Sequence, residues 1–113
     1  MMMKHFLLAM FLLSASWGSY AKPVIFDNDM AIDDWAALLY LLHHPKADVI
    51  AVTISASGES HCKPGLDNTN ALIDLSGKLN KHIPVACGDD YPLDGYFVFP
   101  EAWRKDSDTL SGV

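Results

Sequence analysis

Three short apolar runs, each about the length of a strand, constrain this chain more than any other feature. They are Pro23-Val24-Ile25-Phe26, Asp48-Val49-Ile50-Ala51-Val52-Thr53-Ile54 and Ile83-Pro84-Val85-Ala86-Cys87. Continuous rather than alternating hydrophobicity suits strands covered on both faces, so the runs predict buried parallel strands. Between the first two, Ile32, Trp35, Ala36, Leu38, Leu39 and Leu42 recur at helical spacing, and the pattern stops near His43-His44 before Pro45. Between the second and third, Leu66 to Lys78 repeats that pattern with Leu72, Ile73 and Leu75 and a terminal Gly77. Asp67, Asn68 and Asn70 then read as caps at its start. The order βαβαβ is the Rossmann-like opening of an open, mostly parallel α/β sheet.

Right-handed crossovers running in one direction place both helices on the same face of a three-stranded sheet and leave the other face bare. Parallel sheets are normally covered on both faces, so an incomplete domain is expected, the front part of a larger one. The composition, 50% hydrophobic and 19% charged, is globular and has room for at most one domain. Residues 1–21 stand apart from it. Lys4 precedes an almost wholly apolar stretch from Phe6 to Ala15, and Ser19-Tyr20-Ala21 places small residues at the two cleavage-defining positions. That is the pattern of a secretory signal peptide, and the apolar run falls short of the roughly 20 residues that span a bilayer. The expectation is a secreted or periplasmic protein without a stable membrane anchor, whose mature part is residues 22–113.

The net charge of −6 comes without any basic stripe, which argues against a nucleic-acid polymer as partner and favours small molecules or metal ions. In an oxidising compartment Cys62 and Cys87 could pair; the alternative is that each is a small buried hydrophobe.

Asp27-Asn28-Asp29-Met30-Ala31-Ile32-Asp33-Asp34 places four carboxylates at the carboxyl end of the first strand and the start of the first helix. Ligands bind at that edge of open α/β sheets. Two ionised carboxylates about 5 Å apart repel by roughly 3 kcal/mol at an effective dielectric of about 20, so something must neutralise them. No Lys or Arg lies within the cluster. All-oxygen ligation without Cys or His points to a hard cation, and irregular geometry suits calcium better than magnesium. The simpler reading, acidic residues complementing the helix dipole, covers Asp33 and Asp34 and leaves Asp27 and Asp29 unexplained.

The pattern Asp-x-Asp-x-x-x-Asp-Asp after an apolar strand resembles the amino-terminal signature of the inosine-uridine preferring nucleoside hydrolases. The same order of features follows it: Leu38-Leu39, Pro45, the run Val49 to Ile54, Asn70-Ala71-Leu72 and Ile83 to Gly88, with Arg104 to Val113 matching a later loop. The resemblance implies a nucleoside hydrolase-like fold and hydrolysis of the N-glycosidic bond of ribonucleosides to ribose and free base, with Ca2+ as cofactor. By position it makes Asp29 a calcium ligand and the catalytic base, Asp34 a second calcium ligand, Asp33 a contact to a ribose hydroxyl, and Asp27 a support for the cluster. Met30-Ala31 stands where the family commonly has Pro-Gly. In the loop Ser55 to Cys62, where the family usually offers an Asn to the ribose, this chain offers Gly58-Glu59-Ser60, and Glu59 is the candidate substitute. The family's remaining calcium aspartate, its carbonyl ligand and the histidine near the leaving base come later than Val113. Homo-oligomerisation is left open.

Two rival functions belong to other classes. A calcium-dependent nucleoside or ribose binding protein would keep the cluster without the chemistry. A phosphatase of the haloacid dehalogenase type shares Asp27-Asn28-Asp29 after a strand but typically continues with a small residue, often Thr or Ser, rather than Met30-Ala31. No Gly-rich turn follows the first strand, which argues against dinucleotide binding. His43 and His44 suit the carboxyl end of a helix, His61-Cys62 is a weak soft-metal signal, and Asp89 and Asp90 are peripheral polar groups at the same sheet edge. The aromatic stretch Tyr96, Phe97, Phe99 and Trp103 is expected to pack against parts of the fold absent from this sequence.

Overall fold

A computed structural model describes residues 20–78, 81–97 and 99–109. The signal peptide reading lies almost wholly outside the described residues. β1 (Lys22–Asn28), α1 (Ile32–His43), β2 (Ala47–Ile54), α2 (Cys62–Leu75), β3 (Val85–Cys87) and α3 (Glu101–Ser107) follow in chain order. The three strands form one parallel sheet in the order β1-β2-β3. Both crossover helices lie on the same face, packed on each other and on the sheet. This is the α/β arrangement that the hydrophobic pattern predicts.

The core sits between that face and the helices. Leu38 and Leu42 of α1 meet Leu72 and Ile73 of α2 over Val49, Val52 and Ile54, with Met30 and Ile83 closing the two ends. Strand residues alternate in direction, so Val24, Phe26 and Asn28 turn toward the helices while Pro23, Ile25 and Asp27 turn away. The second face is bare: Ile25 is 62% exposed and Ile50 41%. Ile50 is also the extra residue in the register, because Val24 pairs with Val49 and Ile25 with Ala51.

Two boundaries differ from the sequence reading. α2 begins at Cys62 rather than Leu66, because Pro64 falls in the first helical turn, where its missing N–H has no carbonyl partner to lose. Asp67, Asn68 and Asn70 are consequently interior helix residues rather than caps. Asp67 pairs with Lys63 at 2.7 Å, and the Asn70 side chain donates to the Leu66 carbonyl. The helix is capped instead from the loop after β3, where the Asp90 carboxylate accepts from the Cys62 N–H at 2.8 Å. β3 begins at Val85 rather than Ile83, although Val52 N–H still donates to the Pro84 carbonyl at 3.0 Å. Pro84 has no N–H to extend the ladder.

The register aligns Asn28, Ile54 and Cys87 at one edge, so the loops after all three strands leave the sheet side by side. Ser55 N–H donates to the Asn28 carbonyl at 2.7 Å and Gly88 N–H to the Ile54 carbonyl at 2.8 Å, tying the three loops at their roots. At the same edge Cys62 and Cys87 are joined by a disulfide, with Cα atoms 5.6 Å apart. The bridge fastens the start of α2 to the end of β3. Closing a loop of this length restricts the unfolded chain by about 3 kcal/mol. Replacing both cysteines by Ser should lower the unfolding free energy by about that amount. Denaturant titration checks it, and an unchanged midpoint would show that the bridge contributes no net constraint.

Candidate active site

The turn between β1 and α1 holds its shape through side chains that the sequence places inside it. Met30 has φ 59°, a left-handed conformation that costs a β-carbon-bearing residue about 1–3 kcal/mol. Two bonds hold it there: the Asn28 carboxamide accepts from Met30 N–H at 2.9 Å, and the Trp35 indole donates to the Met30 carbonyl at 3.0 Å. The Met30 sulfur lies 3.2 Å from Thr69 Oγ1, whose single proton is shared with the nearer Gly65 carbonyl at 2.7 Å. The Met30 side chain is fully buried. A proline, fixed near φ −65°, cannot adopt this conformation, so Met30 changes the path of the turn as well as its stiffness.

This turn delivers Asp29 and Asp34 to each other. One Asp34 oxygen accepts from the N–H groups of Ala31 at 3.2 Å and Asp29 at 3.3 Å, which also caps α1. Burial, together with a hydrogen-bonding contact to the Asp29 carboxyl and that group's negative charge, pushes the Asp34 carboxyl up from 3.8 to about 6 against the pull of the two N–H groups. Among the described residues no Lys or Arg pairs with either carboxylate.

The loop after β2 closes over Asp29. Glu59 N–H donates to Asp29 Oδ2 at 3.0 Å and Ser60 N–H to the Asp29 carbonyl at 3.1 Å. Gly58 lies so close that an added β-carbon would stand 2.8 Å from Asp29 Cγ and closer still to Cβ and Oδ2. Glycine is therefore required by proximity. The Glu59 carboxylate turns outward and accepts from Ser107 Oγ at 3.0 Å. It borders a cleft of about 470 Å³ together with Asp33, Trp35, Trp103 and Asp106.

The site residues expected from sequence thus fall into three places. Asp29 and Asp34 form a pair in the turn, and Asp33 and Glu59 share the neighbouring cleft. Asp27 is separate: strand alternation turns it to the bare face, where it accepts from Thr53 Oγ1 at 2.6 Å. No group of three or more His, Cys, Asp or Glu side chains converges as a metal site among the described residues. The Asp29–Asp34 donor set nevertheless fits a hard cation. It is all oxygen, crowded and, among the described residues, free of a basic partner, and it would supply part of the six to eight oxygens that calcium takes.

A family model described as inosine-uridine preferring nucleoside hydrolase matches residues 24–109. The chain belongs to this family. A Corynebacterium ammoniagenes protein described as an uncharacterized protein in the ribF 3' region is 39% identical over 75 residues, covering 66% of this chain and 76% of that protein. Nucleoside hydrolase 4 of Arabidopsis thaliana is 34% identical over 109 residues, 81% of this chain and 19% of the plant protein. The pyrimidine-specific ribonucleoside hydrolase RihA of Shewanella sp. (strain MR-4) is 38% identical over 73 residues, 65% of this chain and 22% of that enzyme. The chain spans about a fifth of the length of these two named nucleoside hydrolases. No solved structure gives a significant match.

Within this member of the nucleoside hydrolase family, several residues that build the site escape a reading of the sequence. Asn28 is flanked by two aspartates and looks like one more polar group, yet its carboxamide bridges Met30 N–H and the Thr53 carbonyl. Gly58 could have been suspected, since an isolated glycine beside a strand often marks a close backbone approach. Arg104, the single arginine, is buried and stacks on Phe97 at 4.6 Å. Phe97 thereby finds its partner inside this chain, contrary to the expectation for the aromatic stretch, because a guanidinium attracts the negative face of the ring. The soft-metal signal at His61-Cys62 also fails. The Cys62 sulfur is in the disulfide, and the His61 imidazole faces Asp108 at 2.8 Å and Glu101 at 3.5 Å.

Two consequences can be measured. Gly58→Ala should cost about 1–3 kcal/mol by forcing the loop off Asp29, and a wild-type unfolding midpoint for this variant would refute the close approach. Asp34, whose proton is held more tightly folded than unfolded, contributes stability that is complete below pH 3.8 and lost as pH rises through about 6. Thermal unfolding in chelator should show this decline, and Asp34→Asn should flatten it. A decline that persists in Asp34→Asn would place its origin elsewhere.

Proposed function

We propose that this chain carries the ribose-binding and calcium-binding corner of an enzyme that hydrolyses the N-glycosidic bond of ribonucleosides. The observation that carries the reading is the Asp29–Asp34 pair, two carboxylates that one turn brings together at the carboxyl edge of the sheet, with Asp34 accepting from the Asp29 N–H and no basic partner among the described residues. Membership of the family and likeness to enzymes named as ribonucleoside hydrolases support it. A bound calcium ion would neutralise the pair and lower the pKa of the attacking water.

The places of the side chains support the roles that the family resemblance implies. Asp29 Oδ2 is held by the Glu59 N–H, which leaves the other oxygen to accept a proton from a water as the sugar carbon gains oxocarbenium character. Asp34 is the second calcium ligand, and the two N–H groups that it accepts fix its orientation. Asp33, exposed in the first turn of α1, accepts from a ribose hydroxyl, and Glu59 offers a second acceptor across the same cleft. Asp27 supports the strand end through Thr53.

Residues 1–21 act as a signal peptide, and residues 22–113 are the amino-terminal part of the hydrolase domain. The Cys62–Cys87 bridge is consistent with a secreted or periplasmic location, where disulfides persist. Among the described residues no helix is long and apolar enough to cross a membrane.

The full chain is to be incubated with purine and pyrimidine ribonucleosides while reducing sugar is measured with calcium and with chelator. Calcium-dependent release is expected, and Asp29→Asn should reduce it at least about a hundredfold. No release from any nucleoside would contradict hydrolysis. Calorimetric binding of ribose or nucleoside without turnover would replace the enzyme by a binding protein.

A further inference from the structure

We infer that Arg104 is a positioning residue for Asp29, acting through the loop after β2. The inference rests on the reading of Asp29 as a calcium ligand and base. Arg104 is 3% exposed, and among the described residues no carboxylate pairs with it. Its guanidinium is spent on main-chain carbonyls of one loop instead. Nε donates to the Gly58 carbonyl at 2.9 Å, and one terminal nitrogen donates to the carbonyls of Ala56 at 2.5 Å and Ser60 at 3.4 Å. The Phe97 ring covers the guanidinium plane.

Those acceptors alternate with the groups that hold Asp29. Gly58 packs against the Asp29 side chain, Glu59 N–H donates to its Oδ2, and Ser60 N–H donates to its carbonyl. The carbonyls of 56, 58 and 60 thus point inward to Arg104 while the N–H groups of 59 and 60 point to Asp29. A planar fork with several donors in fixed geometry can hold such a set, whereas an ammonium, a compact point charge, cannot span it. Burying a cation is costly unless its donors are satisfied, so the loop cannot relax away from Asp29 without stranding the guanidinium. One side chain from α3 therefore fixes the loop whose N–H aims the carboxylate.

The test uses the full chain and two readouts. Amide hydrogen exchange at Glu59 and Ser60 reports the hold on Asp29 directly, and calcium affinity by calorimetry reports its consequence. In Arg104→Met, exchange at both amides should accelerate more than tenfold while Val52 and Leu72 in the core keep their wild-type rates. The calcium dissociation constant should rise about tenfold, and Arg104→Lys should recover only part of either effect. Wild-type exchange at Glu59 in Arg104→Met, or accelerated exchange with unchanged calcium affinity, would overturn the proposal. If wild-type chain binds no calcium while exchange responds as stated, the metal reading fails and the hold of Arg104 on the loop stands. Should Arg104→Met fail to fold, Phe97→Leu removes only the ring beneath the guanidinium and should move the same two readouts in the same direction; no movement in either would overturn the proposal.

Discussion

Two carboxylates that repel each other are held in contact at the end of β1, and the surrounding structure is arranged to keep them there. Asp29 and Asp34 would separate if left free, since ionising both in a partly buried place costs free energy, and the raised Asp34 carboxyl registers that cost. The opposing restraint is local and specific. Two N–H groups of the turn hold Asp34, and the loop after β2 holds Asp29 from the other side. A divalent cation would relieve the repulsion stored in this way, which supports the proposed metal binding.

The sheet makes the restraint possible because parallel strands send all three following loops to one edge. There the loops hold one another through backbone bonds, the disulfide and the Asp90 cap on α2. α3 adds the outer layer through Arg104, the Glu59–Ser107 contact and Asp108, whose carboxylate accepts from both the backbone and the ring of His61. Among the described residues a dense polar network therefore surrounds the two carboxylates, while the opposite face of the sheet exposes apolar residues such as Ile25 and Ile50 beside the Asp27–Thr53 contact.

Much of this was legible in the sequence because it depends on short-range pattern. Apolar runs and helical spacing identify three strands and two helices within a few residues, and their order dictates a parallel sheet with both helices on one side. The Asp29–Asp34 pair was legible because both residues lie in one turn. The separation of Asp27 follows from strand alternation, yet seeing it requires knowing where β1 ends, and β1 runs two residues beyond the apolar run, to Asn28. The early start of α2 is missed by apolar spacing alone, because Pro64 and Gly65 interrupt the pattern, although a proline in the first turn is tolerated. Arg104 and Gly58 are 46 residues apart, and no local pattern connects a lone arginine to the carbonyls of a distant loop.

Terbium luminescence excited through tryptophan tests the proposed metal-binding role of the pair most directly, because Trp35 donates its indole N–H into the very turn that joins Asp29 and Asp34. Terbium, a hard cation with calcium-like oxygen ligation, should give sensitised emission with the full chain. Calcium should displace it, and Asp34→Asn should abolish it. Absence of sensitised emission, or equal emission from Asp34→Asn, would contradict the assignment of these two carboxylates as the metal-binding pair.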